Sequence, residues 1–300
     1  MKPTTIDSPA PSLEHDDRVL PSTRWLAAAL LPFLAVAFAL LYVWPDRTDR
    51  LFAWTIRPDM TAMMLAAAYC GGLFFFWRVT RETHWHRVQI GFPAVLSFAT
   101  LLSVATALHW DRFHPGHISF IAWASLYFVT PFLVLGAWWA NRRADSGALE
   151  AGDALLAPAW RALFVCIGGV TLTVGVGMFI WPQLAIPVWP WMLTPLTARV
   201  VGALFTLPGV VGWLIARDGR WSATRTLVQA QLIGIALILL GALRDRASFD
   251  FSNFPAWGFV AGLSAMFGLL TVLLLTYDSR VRTPAGTRRV EPPARAERHG

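Results

Sequence analysis

The densest run of residues able to bind a metal is His109, Trp110, Asp111, Arg112, Phe113, His114, Pro115, Gly116 and His117. Imidazole and carboxylate suit Zn or Cu, so three His and one Asp this close together form a possible ligand set. The spacing works against it. His114 precedes a proline in a short loop, and a shared centre would need a tight turn there. Polar residues at a membrane boundary are the favoured reading, and no metal or cofactor is expected.

Asp111 and Arg112 recur 134 residues later as Asp245 and Arg246. Sequence neighbours tend to point apart, so each pair is poorly placed to satisfy itself. One expectation is reciprocal pairing across a two-fold axis, Asp111 with Arg246 and Arg112 with Asp245. The competing one is that the charges mark where two spans leave the bilayer.

A second recurrence is aromatic. Trp44, Pro45, Trp54 and Pro58 return at an offset of 137 as Trp181, Pro182, Trp191 and Pro195. Proline stiffens a loop and indole favours the headgroup boundary, so an outer aromatic cap resting on the headgroups is expected. The same groups could wall a pocket for an apolar ligand. Within the apolar runs, Gly71 and Gly72 align with Leu207 and Pro208, followed by Gly209. Coincident helix breaks in a repeat point to a transporter's central site. Close helix packing is the competing explanation, with Gly168, Gly169, Gly175, Gly177, Gly258 and Gly262 as further small residues.

The elements that must position these residues follow from composition. The 300-residue chain is 56% hydrophobic, only 14% charged, and has a mean hydropathy of +0.51, too little polar surface for a water-soluble globule of this size. A bilayer core of roughly 30 Å needs about 20 apolar residues of helix. Eight stretches qualify, near 25–43, 60–77, 90–108, 118–140, 161–181, 197–216, 226–243 and 256–277. None has a charge at its middle, which disfavours proton-coupled transport through a buried carboxylate. Cys70 and Cys166 lie inside apolar runs, are read as small buried residues, and give no disulfide framework. The acidic N-terminal stretch with Asp7, Glu14, Asp16 and Asp17 is unlike a signal peptide's basic start, so no cleaved leader is expected.

Lysine and arginine concentrate on one side of the alternating spans. That side holds Lys2, Arg18, Arg24, the loop groups 78–87, 142–161 and 217–225, and the Arg-rich tail; the other holds Arg47, Arg50, Arg57, Arg112, Arg199, Arg244 and Arg246. Positive charge favours the cytoplasm, so both termini are expected there, in a bacterial inner membrane. This topology also accounts for the pI near 10.4 without nucleic acid.

Further matches extend the recurrence: Trp77 with Trp213, Arg81 with Arg217, Trp85 with Trp221, Phe120 with Phe254, and Trp123 with Trp257. The expected fold is therefore all-α, with eight transmembrane helices as two parallel, pseudo-two-fold-related four-helix repeats. The first repeat would cover 24–140 and the second 161–277, with an N-terminal tail at 1–23 and a linker at 141–160. Residues 278–300 read as a disordered Arg-rich tail able to meet anionic lipid headgroups.

In layout alone, eight spans in two parallel halves, the chain is similar to the haem A synthases. That family ligates haem through histidines on its helices, whereas all seven His here fall in loops or tails, so no site residues carry over. Three function classes remain: a membrane-embedded binding, assembly or accessory protein, a carrier for a neutral or lipophilic solute, and an outer-face enzyme built on the His/Asp loop.

Overall fold

The computed structural model of the chain describes residues 16–282. Among them it is all-helical, with isolated bridges but no strands. Eight helices are long and apolar enough to cross a membrane: α1 (Pro21–Val43), α2 (Asp59–Arg81), α3 (Gly91–Leu108), α4 (Ile118–Asn141), α5 (Pro158–Ile180), α6 (Pro195–Asp218), α7 (Trp221–Arg244) and α8 (Phe254–Arg282). At 1.5 Å per residue even the 18-residue α3 is about 27 Å long, close to the thickness of the hydrocarbon core. Large apolar side chains such as Val36, Phe132, Val170 and Leu275 stay on the surface, where lipid is a better solvent for them than water. The chain is a multi-pass, lipid-embedded membrane protein.

Several helices overrun their apolar stretch because polar residues end them. Thr194 and Thr197 cap α6 reciprocally, each hydroxyl accepting from the other's backbone N–H at 3.2 and 2.8 Å. Gly219, with φ of 79°, closes the same helix in the left-handed region that glycine enters freely. At the C-terminus α8 runs to Arg282, so the stretch expected to be irregular from 278 is helical at its start. Most of that expected tail, with its lipid-headgroup contact, lies outside the described residues.

Packing follows two rules. Sequential helices pair as α1 with α2, α3 with α4, α5 with α6 and α7 with α8; α2 also packs on α7, and α3 on α6. The result is two four-helix bodies, one of α1, α2, α7 and α8 and the other of α3, α4, α5 and α6. Each half of the sequence gives one hairpin to each body. The tightest contact is α5 on α6, where backbones meet through glycine. A Cβ at Gly202 would lie 2.6 Å from the Gly175 carbonyl oxygen, and one at Gly212 2.6 Å from that of Phe164.

The expectation of broken helices does not hold. Both α2 and α6 run unbroken through Gly71, Gly72, Pro208 and Gly209. A proline removes one backbone donor, yet the flanking turns of a long packed helix hold its course. Gly258 and Gly262 are not packing residues either: an added Cβ would meet only Phe254 at the first and nothing at the second. The cysteines are also less enclosed than expected, Cys70 half-buried and Cys166 exposed toward lipid.

Both ends of the bundle are tied by backbone bonds. At the end carrying α1's start and α8's finish, Val19 N–H donates to Thr83 C=O (3.0 Å) and Trp85 N–H to Asp17 C=O (2.8 Å). There too Leu156 N–H donates to Gly219 C=O and Trp221 N–H to Ala154 C=O, both at 2.8 Å. We call this the linker end and the opposite one the cap end.

Candidate functional site

Between the two bodies lies a chamber of about 460 Å³, within the roughly 300–1,000 Å³ range of small-molecule pockets. All eight helices reach it, and its walls are overwhelmingly apolar. Gly71 and Gly72 of α2 and Pro208 of α6 line it, whereas Gly209 turns away and packs on Leu172. The missing side chain at Gly72 leaves room, that at Gly71 lets the α7 backbone approach, its Cβ position being 3.1 Å from the Ala230 carbonyl oxygen, and Pro208 leaves the carbonyl of Leu204, a wall residue, without its helical donor. Gly262 of α8 lines the chamber while lying on the exposed surface. Leu263 and Met266 of α8 and Ile167 and Thr171 of α5 line the chamber as well, which at Gly262 reaches the exposed surface of α8.

Polar groups on the walls are few and lie at mid-span. Tyr69 of α2 and Tyr127 of α4 share a hydroxyl–hydroxyl hydrogen bond of 2.8 Å. Pro131 cannot donate to the Tyr127 carbonyl one turn back, and Ser103 of α3 donates to it instead, which anchors that stretch of α4. Thr130 of α4, Gln231 of α7 and Thr171 of α5 also line the chamber, the last with its hydroxyl donating to Ile167 C=O. Gly71 lies against Ala230, which puts Gln231 at nearly the depth of Tyr69. Tyr69, Tyr127, Thr130 and Gln231 did not stand out in the sequence as chemistry. The signal available was an uncharged polar side chain near the midpoint of an apolar span.

Toward the cap end aromatic residues roof the chamber. Trp54 packs edge-on against Trp123 at 4.7 Å between ring centroids, and Trp123 lies 4.3 Å from Tyr127. On the other side Trp191 meets Phe259 at 5.0 Å and Trp189 meets Phe205 at 5.8 Å. Trp191 donates from Nε1 to the Thr61 hydroxyl (2.8 Å), a bond that crosses from one body to the other. The four matched tryptophans therefore divide. Trp44 and Trp181 are exposed at the ends of α1 and α5, where a headgroup anchor would sit, while Trp54 and Trp191 are buried in the roof.

The recurring Asp–Arg pairs do not meet. Arg112 bonds its own neighbour Asp111 at 3.1 Å, both well exposed, because the tight turn at 110–112 lets adjacent side chains converge. Asp245 instead accepts the Met60 N–H (2.9 Å) in the first turn of α2, where the helix dipole favours a carboxylate. Arg246 is exposed and takes part in neither expected pair. The three loop histidines go separate ways. His109 Nε2 accepts from Arg199 (2.7 Å), the His114 N–H donates to Ala53 C=O (2.9 Å), and His117 caps α4 through Ser119. Burial, and then the Arg199 charge, hold the His109 imidazole below its usual range, so it stays neutral as an acceptor must.

The linker end carries a charged knot. Arg220, between α6 and α7, donates to Asp145 of the linker (2.9 and 2.5 Å) and to Asp218 (2.8 and 2.7 Å). Burial pushes the Asp145 carboxyl up, but hydrogen bonds from Arg220, Gly147 and Gln89 outweigh it and hold the group at about 2. Arg87 bonds Glu150 at 2.6 Å, and buried His86 bonds Asp17 at 2.5 Å. Asp17, His86 and Asp145 bring ligand-type atoms within 4.8 Å of one another. The donor set does not fit a cation well, because Asp145's oxygens are already committed to the positive Arg220.

Comparison of the chain with family models, with curated proteins and with solved structures gave no match.

Proposed function

We propose that this protein is a carrier for an uncharged, lipid-soluble molecule, which enters from the bilayer between α5 and α8 and is held between the two bodies. One observation carries the reading: an apolar chamber of about 460 Å³ at mid-membrane, reaching Gly72 and Pro208 rather than a solid seam. Its walls hold no ionisable Asp, Glu, Lys, Arg or His, which suits a neutral cargo. The converging donors that an enzyme at the cap end would require are separated among Arg199, Ala53 and Ser119.

The proposal includes the duplicated architecture of two parallel four-helix repeats about a two-fold axis. Support comes from local geometry at the sequence offset. The bonds of Val19 with Thr83 and Trp85 with Asp17 have counterparts in Leu156 with Gly219 and Trp221 with Ala154, 136 or 137 residues on. Trp44 and Trp181 end their helices with the same φ of −121° and ψ of 56° and 66°. The pairing of α2 with α7 becomes that of α6 with α3 when the halves are exchanged. A bacterial inner membrane with cytoplasmic linker end belongs to the same proposal and rests on the excess of arginine at that end.

The test is native mass spectrometry of the protein purified in mild detergent from its membrane. The expected result is one retained lipophilic molecule per chain. Its retention should fall sharply in Gly72→Phe, whose ring would fill a wall where the nearest side chain is Leu34, 3.7 Å away. Proteoliposomes should then move that molecule across the bilayer, and Gly72→Phe should not. An empty parent chain, or equal retention by both proteins, sinks the proposal.

A further inference from the structure

Several hydrogens on the chamber's polar groups have no hydrogen-bond partner among the described residues. Tyr69 and Tyr127 are both buried, and their hydroxyls share one hydrogen bond. Whichever donates, the other's hydrogen makes no hydrogen bond among the described residues. The Thr130 hydroxyl, buried beside Tyr127, and the Gln231 amide also make no hydrogen bond within the protein. The other hydroxyls nearby are spoken for: Thr171 donates to Ile167 C=O and Thr206 to Ala203 C=O. Such back-bonding is the usual fate of a helical Thr in an apolar setting, so Thr130's departure from it is informative.

A buried donor left without an acceptor is costly, and hydrocarbon cannot relieve it. An alkane chain would fill the chamber and leave all these hydrogens unmet. A carbonyl oxygen has two lone pairs and no hydrogen of its own, the complement of a hydroxyl pair, a threonine and an amide NH₂. The aromatic walls, with Phe75, Phe98, Phe205 and Phe259, would take the rest of the molecule.

We infer that the molecule bound here is a carbonyl-bearing lipophile, its oxygen docked at mid-membrane among Tyr69, Tyr127, Thr130 and Gln231. This rests on the chamber being a binding site, and extends that reading to the class of ligand. Charged headgroups are excluded by the absence of any counter-charge on the walls. The recognition is a matter of hydrogen bonding alone.

The experiment places a medium-chain methyl ketone and the alkane of equal carbon number in competition at equal micellar concentration. Bound species are counted by native mass spectrometry on the full-length chain. The ketone is expected to win by about ten-fold, the effect of one to two net hydrogen bonds. In Tyr69→Phe/Tyr127→Phe/Gln231→Leu the preference should fall to about two-fold or less. Replacing both members of the tyrosine pair leaves no orphaned partner, so folding is preserved; Gln231→Leu alone, with a partial loss of preference, guards against a failure of the triple variant. Equal binding of ketone and alkane to the parent overturns the inference and leaves the chamber as a binding site. If neither probe binds, the chamber reading falls and takes the inference with it. A preference that survives in the triple variant also overturns the inference.

Discussion

Replacing Arg220 with methionine tests whether the linker end is a structural clamp. The guanidinium is only 5% exposed and faces Asp145 and Asp218, whose side chains are 11% and 13% exposed. Its removal strands two nearly buried carboxylates against one another. Breaking a buried pair from one side costs about 3–5 kcal/mol, and the slight wetness of this site argues for the lower end, about 3 kcal/mol. Equilibrium unfolding in mixed micelles of rising SDS fraction, followed by circular dichroism, would read the loss. In the triple variant Arg220→Met/Asp145→Asn/Asp218→Asn, which removes the charges together, at least half should return. The pH dependence has a definite sign. Asp145's folded pKa, about 2, lies below its ordinary 3.8, so its contribution is whole above 3.8 and is lost as pH falls toward 2. Arg220→Met should weaken this acid limb, since the cation is gone and only the bonds from Gly147 and Gln89 still hold the carboxyl down. A variant within about 0.5 kcal/mol of the parent, or one with an unchanged acid limb, would refute the reasoning.

Two further outcomes follow from the packing and the cap end. Gly202→Val should cost about 1–3 kcal/mol by forcing α5 from α6, given a Cβ 2.6 Å from a carbonyl oxygen, while Gly169→Ala, with nothing within 4 Å, should be neutral or slightly stabilising in the same unfolding assay. His109 is held below 6.5 by burial and Arg199, so the stability it confers through its acceptor nitrogen is complete above pH 6.5 and is lost as pH falls through the lowered value. His109→Gln keeps an acceptor that does not titrate, so thermal midpoints measured from pH 8 to pH 5 should fall less in the variant than in the parent.

The spans were readable because a bilayer leaves only one common solution for an apolar run of this length. All eight observed helices contain or closely overlap the apolar stretches found in the sequence. Their partners were harder to read, because hydropathy says that a helix is in lipid and not which neighbour it touches. The interleaving of hairpins, α2 on α7 and α3 on α6, has no composition signal. The sites divide on the same line. Gly72 and Pro208 were found as a pair and do line the chamber, yet as room-makers in continuous helices rather than as breaks. Asp245 was singled out for a charge partner and found a helix N-terminus, a backbone ligand that no charge pattern reveals. Tyr69, Tyr127 and Gln231 are ordinary in composition and become informative only when distance shows which of their hydrogens are unmet.

The route of the chain joins the two bodies at one end of the bundle only. Loops at the cap end join α1 to α2, α3 to α4, α5 to α6 and α7 to α8, and each stays within one body. The chain crosses between bodies only from α2 to α3 and from α6 to α7, both at the linker end. Those two crossings are where the backbone bonds of Val19, Trp85, Leu156 and Trp221 lie, and where Arg220 holds Asp145. The two bodies are thus joined covalently, and held by the Arg220 ion pairs, at the linker end, whereas at the cap end non-covalent contacts alone hold them. At that other end the bodies also meet, through the bond from Trp191 to the Thr61 hydroxyl, the bond from the His114 N–H to Ala53 C=O, and the packing of Trp54 on Trp123. Between these two differently held ends the chamber walls present hydroxyls and an amide and no charged side chain, so the two bodies face one another there across apolar surface rather than ion pairs.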